Sequence, residues 1–249
     1  TSSFEKAHQE VRRVMADSMA KSDLPSIVAI GVNDKGQRIE YAYGGLSWGK
    51  GEPVKPSSIF RIHSMTKLVT SIAVMQLVEQ KKLNLDQALD ELLPSMSRIP
   101  ILTPEGGFVK GEEIITLRHL LTHTAGFGYP NATYKLHPAF DAGRWDYEDF
   151  PRQFESGTRF LYGTNTDWVG KLVEQVSGMT LEVYFKKNIF EPLGIKNTHF
   201  NVPENAKKRI ASMGNRGEDG RSKLREIDGD EVSPNRYPVK KITKFSGGD

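Results

Sequence analysis

Apolar residues first recur at helical spacing. Phe4, Val11, Val14, Met15 and Met19 predict one amphipathic helix over roughly residues 4–21, ended by Leu24-Pro25. Ser26 to Val32 is β-rich, Asn33-Asp34-Lys35-Gly36 has turn chemistry, and Arg38 to Tyr43 alternates, which together predict a hairpin. Gly44 to Pro56 reads as loop and Ile59 to Ile62 as a short strand. From Leu68 to Val78 the residues LVTSIAVMQLV are apolar almost all the way round, predicting a helix buried on most faces. Asp86 to Leu93 predicts a short helix stopped by Pro94, and Thr116 an N-cap for Leu117 to Leu121. Gly126 to Gly143 reads as loop. Asn165 to Val176 is helical up to Ser177-Gly178, and Thr180 caps a further helix to about Phe190, closed by Pro192-Leu193-Gly194. Residues 201–241 are polar and rich in Gly, Asn, Asp and Pro, as in long loops or an insertion. This order predicts an α+β fold (mixed α/β) with a mostly helical second domain.

Composition narrows the class. The chain has 249 residues, enough for one large domain or two closely packed ones, with 37% hydrophobic and 26% charged residues, an ordinary globular profile. A net charge of +3 gives no footprint for nucleic acid or an anionic membrane. With no cysteine, a disulfide framework, a thiolate metal site and a thiol nucleophile are excluded. No apolar run reaches about 18 residues, so no membrane span is expected. The chain starts at Thr1 without a signal-like apolar stretch; removal of a leader leaves the compartment open, with cytoplasm slightly favoured over periplasm or secretion.

Ser-x-x-Lys occurs three times, at Ser3/Lys6, Ser18/Lys21 and Ser64/Lys67. The first lies at a chain end and the second on a helix face that should be solvated. Ser64 instead follows a strand and stands where the apolar helix begins, with Lys67 one turn on and on the same face. A serine hydroxyl needs a base beside it to become a nucleophile, and a neutral amine can serve. Desolvation by the apolar helix would lower the lysine pKa, and the helix N-terminus would favour an oxyanion developing beside Ser64. On residues alone a second reading stays open: an N-cap serine followed by a lysine whose stem lies along apolar surface.

The segment IFRIHSMTKLVTSIAVMQLVEQKKLNLD resembles the first motif of the serine β-lactamase/penicillin-binding-protein superfamily, with a closer likeness to class C β-lactamases and to family VIII carboxylesterases and related acyltransferases. ITLRHLLTHTAGF (115–127), GTRFLYGTNTDWVGKLVEQVSG (157–178) and IFEPLGIKNTHF (189–200) follow in the expected order. The resemblance implies a β-lactamase/transpeptidase-like fold. An antiparallel sheet flanked by helices (residues 1–75 and 201–249) would accompany a helical domain (76–200). It implies Ser64, Lys67 and Tyr162 as catalytic residues, Tyr162 being the phenol that shares the serine and lysine protons. The only literal Tyr-x-Asn, Tyr129-Pro130-Asn131, falls too early in the chain order to be the second motif. Thr164 replaces the asparagine that holds a substrate amide in the β-lactamases, which favours esters; Asn165, one position late, is a candidate to take its place. The third motif, Lys-Ser/Thr-Gly or His-x-Gly, is absent. The resemblance therefore implies that the C-terminal third of the usual protein is missing, as in a fragment, a degenerate member, or a chain completed by a second polypeptide.

Weaker signals have ordinary readings. His119 and His123 lack the HExxH pattern and suit a structural role in the HTAGF turn better than zinc. Gly44 to Lys50 mimics a P-loop but Gly51 and Pro53 replace what should follow. Trp48, Trp145 and Trp168 suit an acyl pocket or the core equally. The expectation is a serine carboxylesterase or transesterase with an acyl-enzyme on Ser64, a small-molecule ester substrate, no cofactor, no metal and no nucleic-acid partner. A β-lactamase or DD-peptidase is the first alternative, and a catalytically inactive binding protein the second.

Overall fold

A computed structural model describes residues 3–47, 50–129, 150–215 and 225–226. They divide into two compact units. One takes the chain up to Arg61 and again from Asn197, and the other runs from Ile62 to Lys196. The expected division was 1–75 and 201–249 against 76–200. The observed boundary at Arg61 puts Ser64 and its whole helix in the second unit, because that helix packs on later helices of the same unit.

In the first unit, helix α1 (Ser3–Ala20) precedes strands β1 (Ser26–Val32), β2 (Arg38–Ser47) and β3 (Lys50–Pro53), an antiparallel sheet in the order β1-β2-β3. The hairpin turn is set by Asn33, whose Oδ1 accepts from the Lys35 and Gln37 amides, and by Gly36 at φ 72°. Strand β2 extends past Tyr43 into the segment that composition marks as loop. The glycine that suggested a loop has another purpose: a Cβ on Gly44 would lie 1.9 Å from the Pro25 carbonyl oxygen, so only glycine lets the strands approach there. The strand expected at 59–62 reduces to one parallel bridge. Ile59 donates to the Arg209 carbonyl and accepts from Ala211, each at 2.8 Å. Beneath it, Ile59 packs on buried Val202, Ala206 and Ile210, around a short helix, α7 (Glu204–Lys207), in a stretch that reads as loop.

The second unit is built on helix α2 (Thr66–Glu79), entered through a 3-10 turn at His63–Met65. Thr70, Ala73, Val74 and Leu77 form its buried stripe against α5 (Asn165–Ser177) and α6 (Leu181–Phe185), the latter continued by a π-helical turn, Lys186–Phe190. The expectation of burial on most faces is corrected here. Leu68, Ile72 and Met75 form an opposite stripe that is exposed, Leu68 by 68%, because neighbouring helices of the unit cover α2 from one side.

The helix expected over Asp86 to Leu93 is also corrected. Ala88 bridges Thr116, and the Leu89 amide donates to the Ile115 carbonyl, leaving one isolated bridge with turns on either side of it. Pro94 opens α3 (Pro94–Ser97) at its first turn rather than stopping a helix, since its missing N–H costs nothing there. A two-residue hairpin follows, β4 (Ile101–Leu102) with β5 (Phe108–Val109). Thr116 caps α4 (Leu117–Leu121) as expected: its hydroxyl accepts from the His119 amide, while His119 Nδ1 accepts from the Thr116 amide. Gly178, left-handed at φ 68°, ends α5, and Thr180 caps α6. Residues 150–156 thread between two older segments of chain: the Arg152 carbonyl accepts from Leu102, and the Gln153 amide donates to Gly126. Buried Arg152 adds bonds to the Ala125 carbonyl and Ser156 Oγ. Much of the loop expected over Gly126 to Gly143 lies outside the described residues.

Candidate active site

Ser64 lies in the 3-10 turn ahead of α2, exposed, directly after His63, whose φ of 41° is left-handed. Such a backbone is uncommon outside glycine and often accompanies a functional side chain. The capping alternative is not what the structure shows: the N-cap of α2 is Met65, without a side-chain cap. Lys67, half-buried, extends its Nζ to 3.2 Å from Ser64 Oγ. The other Ser-x-x-Lys pairs show no such approach; Ser18 Oγ donates to the Val14 carbonyl of its own helix.

Two tyrosines complete the cluster. Tyr129 Oη lies 3.1 Å from Lys67 Nζ, and the face of the Tyr162 ring is centred 4.6 Å from the same atom. The rings stand 5.8 Å apart. Gly163 makes this meeting possible. A Cβ there would sit 2.2 Å from the Phe127 carbonyl oxygen and 2.6 Å from Gly128 Cα, so the 161–165 turn can cross the HTAGF segment only with glycine at the contact. Tyr129, set aside on chain order, is thus the residue sequence reasoning missed. Its signal was present, as the literal Tyr-x-Asn directly after the glycines of GFG.

The expected neutral lysine is corrected. Burial does push the Lys67 ammonium down, but hydrogen bonding to Tyr162 and then Tyr129 pushes it up further, and its pKa ends above the ordinary value. The lysine at rest is therefore a cation bridging one serine and two phenols. The same cation, after burial, holds His123 down to about 4, so His123 is neutral at pH 7.

Asn165, offered as a substitute amide holder, is fully buried, with its Nδ2 facing the Phe127 carbonyl at 2.8 Å and His123 Nδ1 at 3.1 Å. It is structural and out of a substrate's reach, and Thr164 beside it is buried as well. Trp168 is a core residue packed 5.8 Å from the Phe127 ring, whereas Trp48 and Trp145 lie outside the described residues. Among the described residues no His, Asp and Glu side chains converge to hold a metal ion, and no helix is long and apolar enough to cross a membrane.

A helical unit presenting a serine and a lysine from the start of its central helix, in a chain whose other unit carries an antiparallel sheet, defines the class of mixed α/β proteins with the β-lactamase/transpeptidase fold. The family model described as Beta-lactamase matches residues 11–235, and the chain belongs to that family. It is 34% identical over 190 residues to monacolin J acid methylbutanoyltransferase of Aspergillus terreus, a match that takes in 68% of this chain and 45% of the relative. It is 33% identical over 174 residues to lovastatin esterase of Penicillium rubens, covering 61% of this chain and 42% of that protein. Among solved structures, a mutant simvastatin synthase from Aspergillus terreus superposes with a TM-score of 0.76 at 29% identity, over 88% of this chain and 58% of that one. The chain thus spans about half the length of the curated relatives it matches.

Proposed function

We propose that this chain carries the nucleophile of a serine hydrolase or transacylase acting on carboxylic esters. The observation that supports it most is the single cation, Lys67 Nζ, within hydrogen-bond reach of both Ser64 Oγ and Tyr129 Oη. Relatives named as an acyltransferase and an esterase support an ester substrate.

Lys67 donates hydrogen bonds and cannot accept the serine proton while it is an ammonium. The base is therefore a phenol oxygen in the ionised form that an adjacent cation favours. Tyr162 is assigned that role, because its ring lies over the Lys67 ammonium, centred 4.6 Å from Nζ, in the segment that resembles the second family motif. As Ser64 Oγ bonds to the ester carbonyl carbon, its proton passes to Tyr162 and from there to the leaving alcohol, whose C–O bond breaks. Water or an acceptor alcohol then attacks the acyl-enzyme and gives up its proton along the same path, and Ser64 recovers its own. Both steps pass through an oxyanion beside Ser64.

The β-lactamase and DD-peptidase alternative finds less support, since Thr164 and Asn165 are buried and cannot grip a substrate amide. Short-chain p-nitrophenyl esters should be turned over well ahead of nitrocefin or a D-Ala-D-Ala peptide. A fluorophosphonate should add once, on Ser64, by intact mass, and Ser64→Ala should lose the adduct and the turnover with its melting temperature unchanged. An unlabelled native protein would instead support a binding role, and labelling that survives in Ser64→Ala would reject Ser64 as nucleophile. The finer expectation, a second polypeptide that completes the pocket, is tested by comparing ester turnover of this chain alone with that of the natively purified assembly.

A further inference from the structure

His123 is bonded to both residues that flank Tyr162. Its carbonyl accepts from the Leu161 amide at 2.9 Å, and its Nδ1 accepts from the Gly163 amide at 3.4 Å. A second donor, Asn165 Nδ2, approaches Nδ1 to 3.1 Å. The direction of that bond is fixed by the surroundings. The same Nδ2 lies 2.8 Å from the Phe127 carbonyl and 3.3 Å from the Leu161 carbonyl, neither of which can donate, so the amide must present its NH2 group on this side. A backbone N–H can only donate. Nδ1 therefore carries a lone pair, and the ring proton resides on Nε2.

The fold accepts costs to keep this arrangement. Asn165 Oδ1 is buried without a hydrogen-bond partner among the described residues. His123 itself holds φ 56°, a backbone that asparagine and glycine tolerate and most residues do not. The His123 ring packs tilted against that of Tyr162, with centroids 4.6 Å apart and planes inclined by 38°. One residue thus grips Tyr162 from before, from after and against its ring. The charged group facing His123 is Lys67. A proton on Nδ1 would set a donor against two donors and a second cation near the first.

We propose that His123 is a positioning residue for acyl transfer, whose unprotonated Nδ1 anchors the 161–165 turn and so fixes Tyr162 against the Lys67 ammonium. This rests on the assignment of Ser64, Lys67 and Tyr162 as reacting groups. It gives the HTAGF histidine a task in the reaction, whereas sequence reasoning allows it only a turn.

The test uses two substitutions that keep the left-handed backbone. His123→Gly removes the acceptor, and His123→Asn places an amide oxygen about where Nδ1 stood. In the natively purified protein, His123→Gly should lower kcat for a p-nitrophenyl ester by about 100-fold, with KM within about threefold, the scale expected when a catalytic group shifts by an ångström. His123→Asn should recover about 10-fold or more of that loss. Wild-type kcat in the glycine variant, or an asparagine variant no faster than the glycine one, overturns the proposal. An independent readout needs no turnover: ¹⁵N NMR of the wild-type imidazoles should show His123 as the Nε2–H tautomer at pH 7. An Nδ1–H tautomer or an imidazolium there overturns the anchor even if Ser64 is labelled. Conversely, the expected tautomer in a protein whose Ser64 never labels sinks the esterase reading and, with it, the claim of a part in catalysis. If the glycine variant does not fold, the asparagine variant and the NMR measurement decide.

Discussion

At the level of single residues, Lys67 is better described as a held cation than as a base. Both phenols raise it, so removing either should let it fall. Tyr162→Phe should cut ester turnover by about 100-fold or more, the usual worth of a positioned proton carrier, and Tyr129→Phe by about 10-fold. In both variants the alkaline limb of the pH–rate profile should move to lower pH; a limb that stays put would detach the tyrosines from Lys67. His123 supplies a second pH test, on stability. Its folded-state pKa, about 4, lies below its ordinary value of 6.5, so the unfolded chain binds more protons between those two values. Its contribution to stability is complete above about pH 6.5 and is lost as pH falls toward 4. Thermal melts of wild type should decline more across that window than those of His123→Asn. A short spacing and an ordered set of motifs nominate Ser64, Lys67 and Tyr162, so the meeting of these three side chains at Lys67 Nζ was legible in the sequence. Tyr129 was not, because its nearness to Lys67 depends on a chain crossing at Gly163 that no local pattern encodes.

Elements explain where sequence patterning succeeds. The first helix, the hairpin, α2, α4 and α5 were all expected near their observed bounds, since each carries its own periodicity and its own stop signal. Asp86 to Leu93 misled because apolar spacing in eight residues is too short to select a helix, and pairing with residues 115–116 breaks the segment into turns around one bridge. Helix α2 misled differently: uniform apolarity records that a face is apolar and is silent on whether a neighbour covers it. Substitutions should separate its two stripes. Leu77→Ala should cost about 2–5 kcal/mol in denaturant unfolding, while Leu68→Gln on the exposed stripe should stay within about 0.5 kcal/mol. Gly163→Ala should cost stability and activity together, because the added methyl group meets backbone rather than a side chain that can turn aside.

On the scale of the molecule, 34 basic and 31 acidic residues leave a formal charge of +3 and no reason for electrostatic steering of a neutral ester. Its kcat/KM should change less than about twofold between low salt and 0.5 M salt; a steep dependence would point to an anionic substrate. The α+β class was legible from the order of elements, whereas the unit boundary was not, since it depends on which helices α2 meets. Among the described residues the helical unit is continuous in sequence; the sheet unit is not, and Ile59 finds its bridging partner about 150 residues later, at Ile210. A ribosome adding roughly 5–20 residues per second needs roughly 8–30 s to emit that partner. Through this interval Ile59 waits without its bridging partner, while the body that bears Ser64 can already assemble. The unit that is begun first is therefore completed last, and the strip at Ile59, rather than the nucleophile's own surroundings, is left longest without its neighbour.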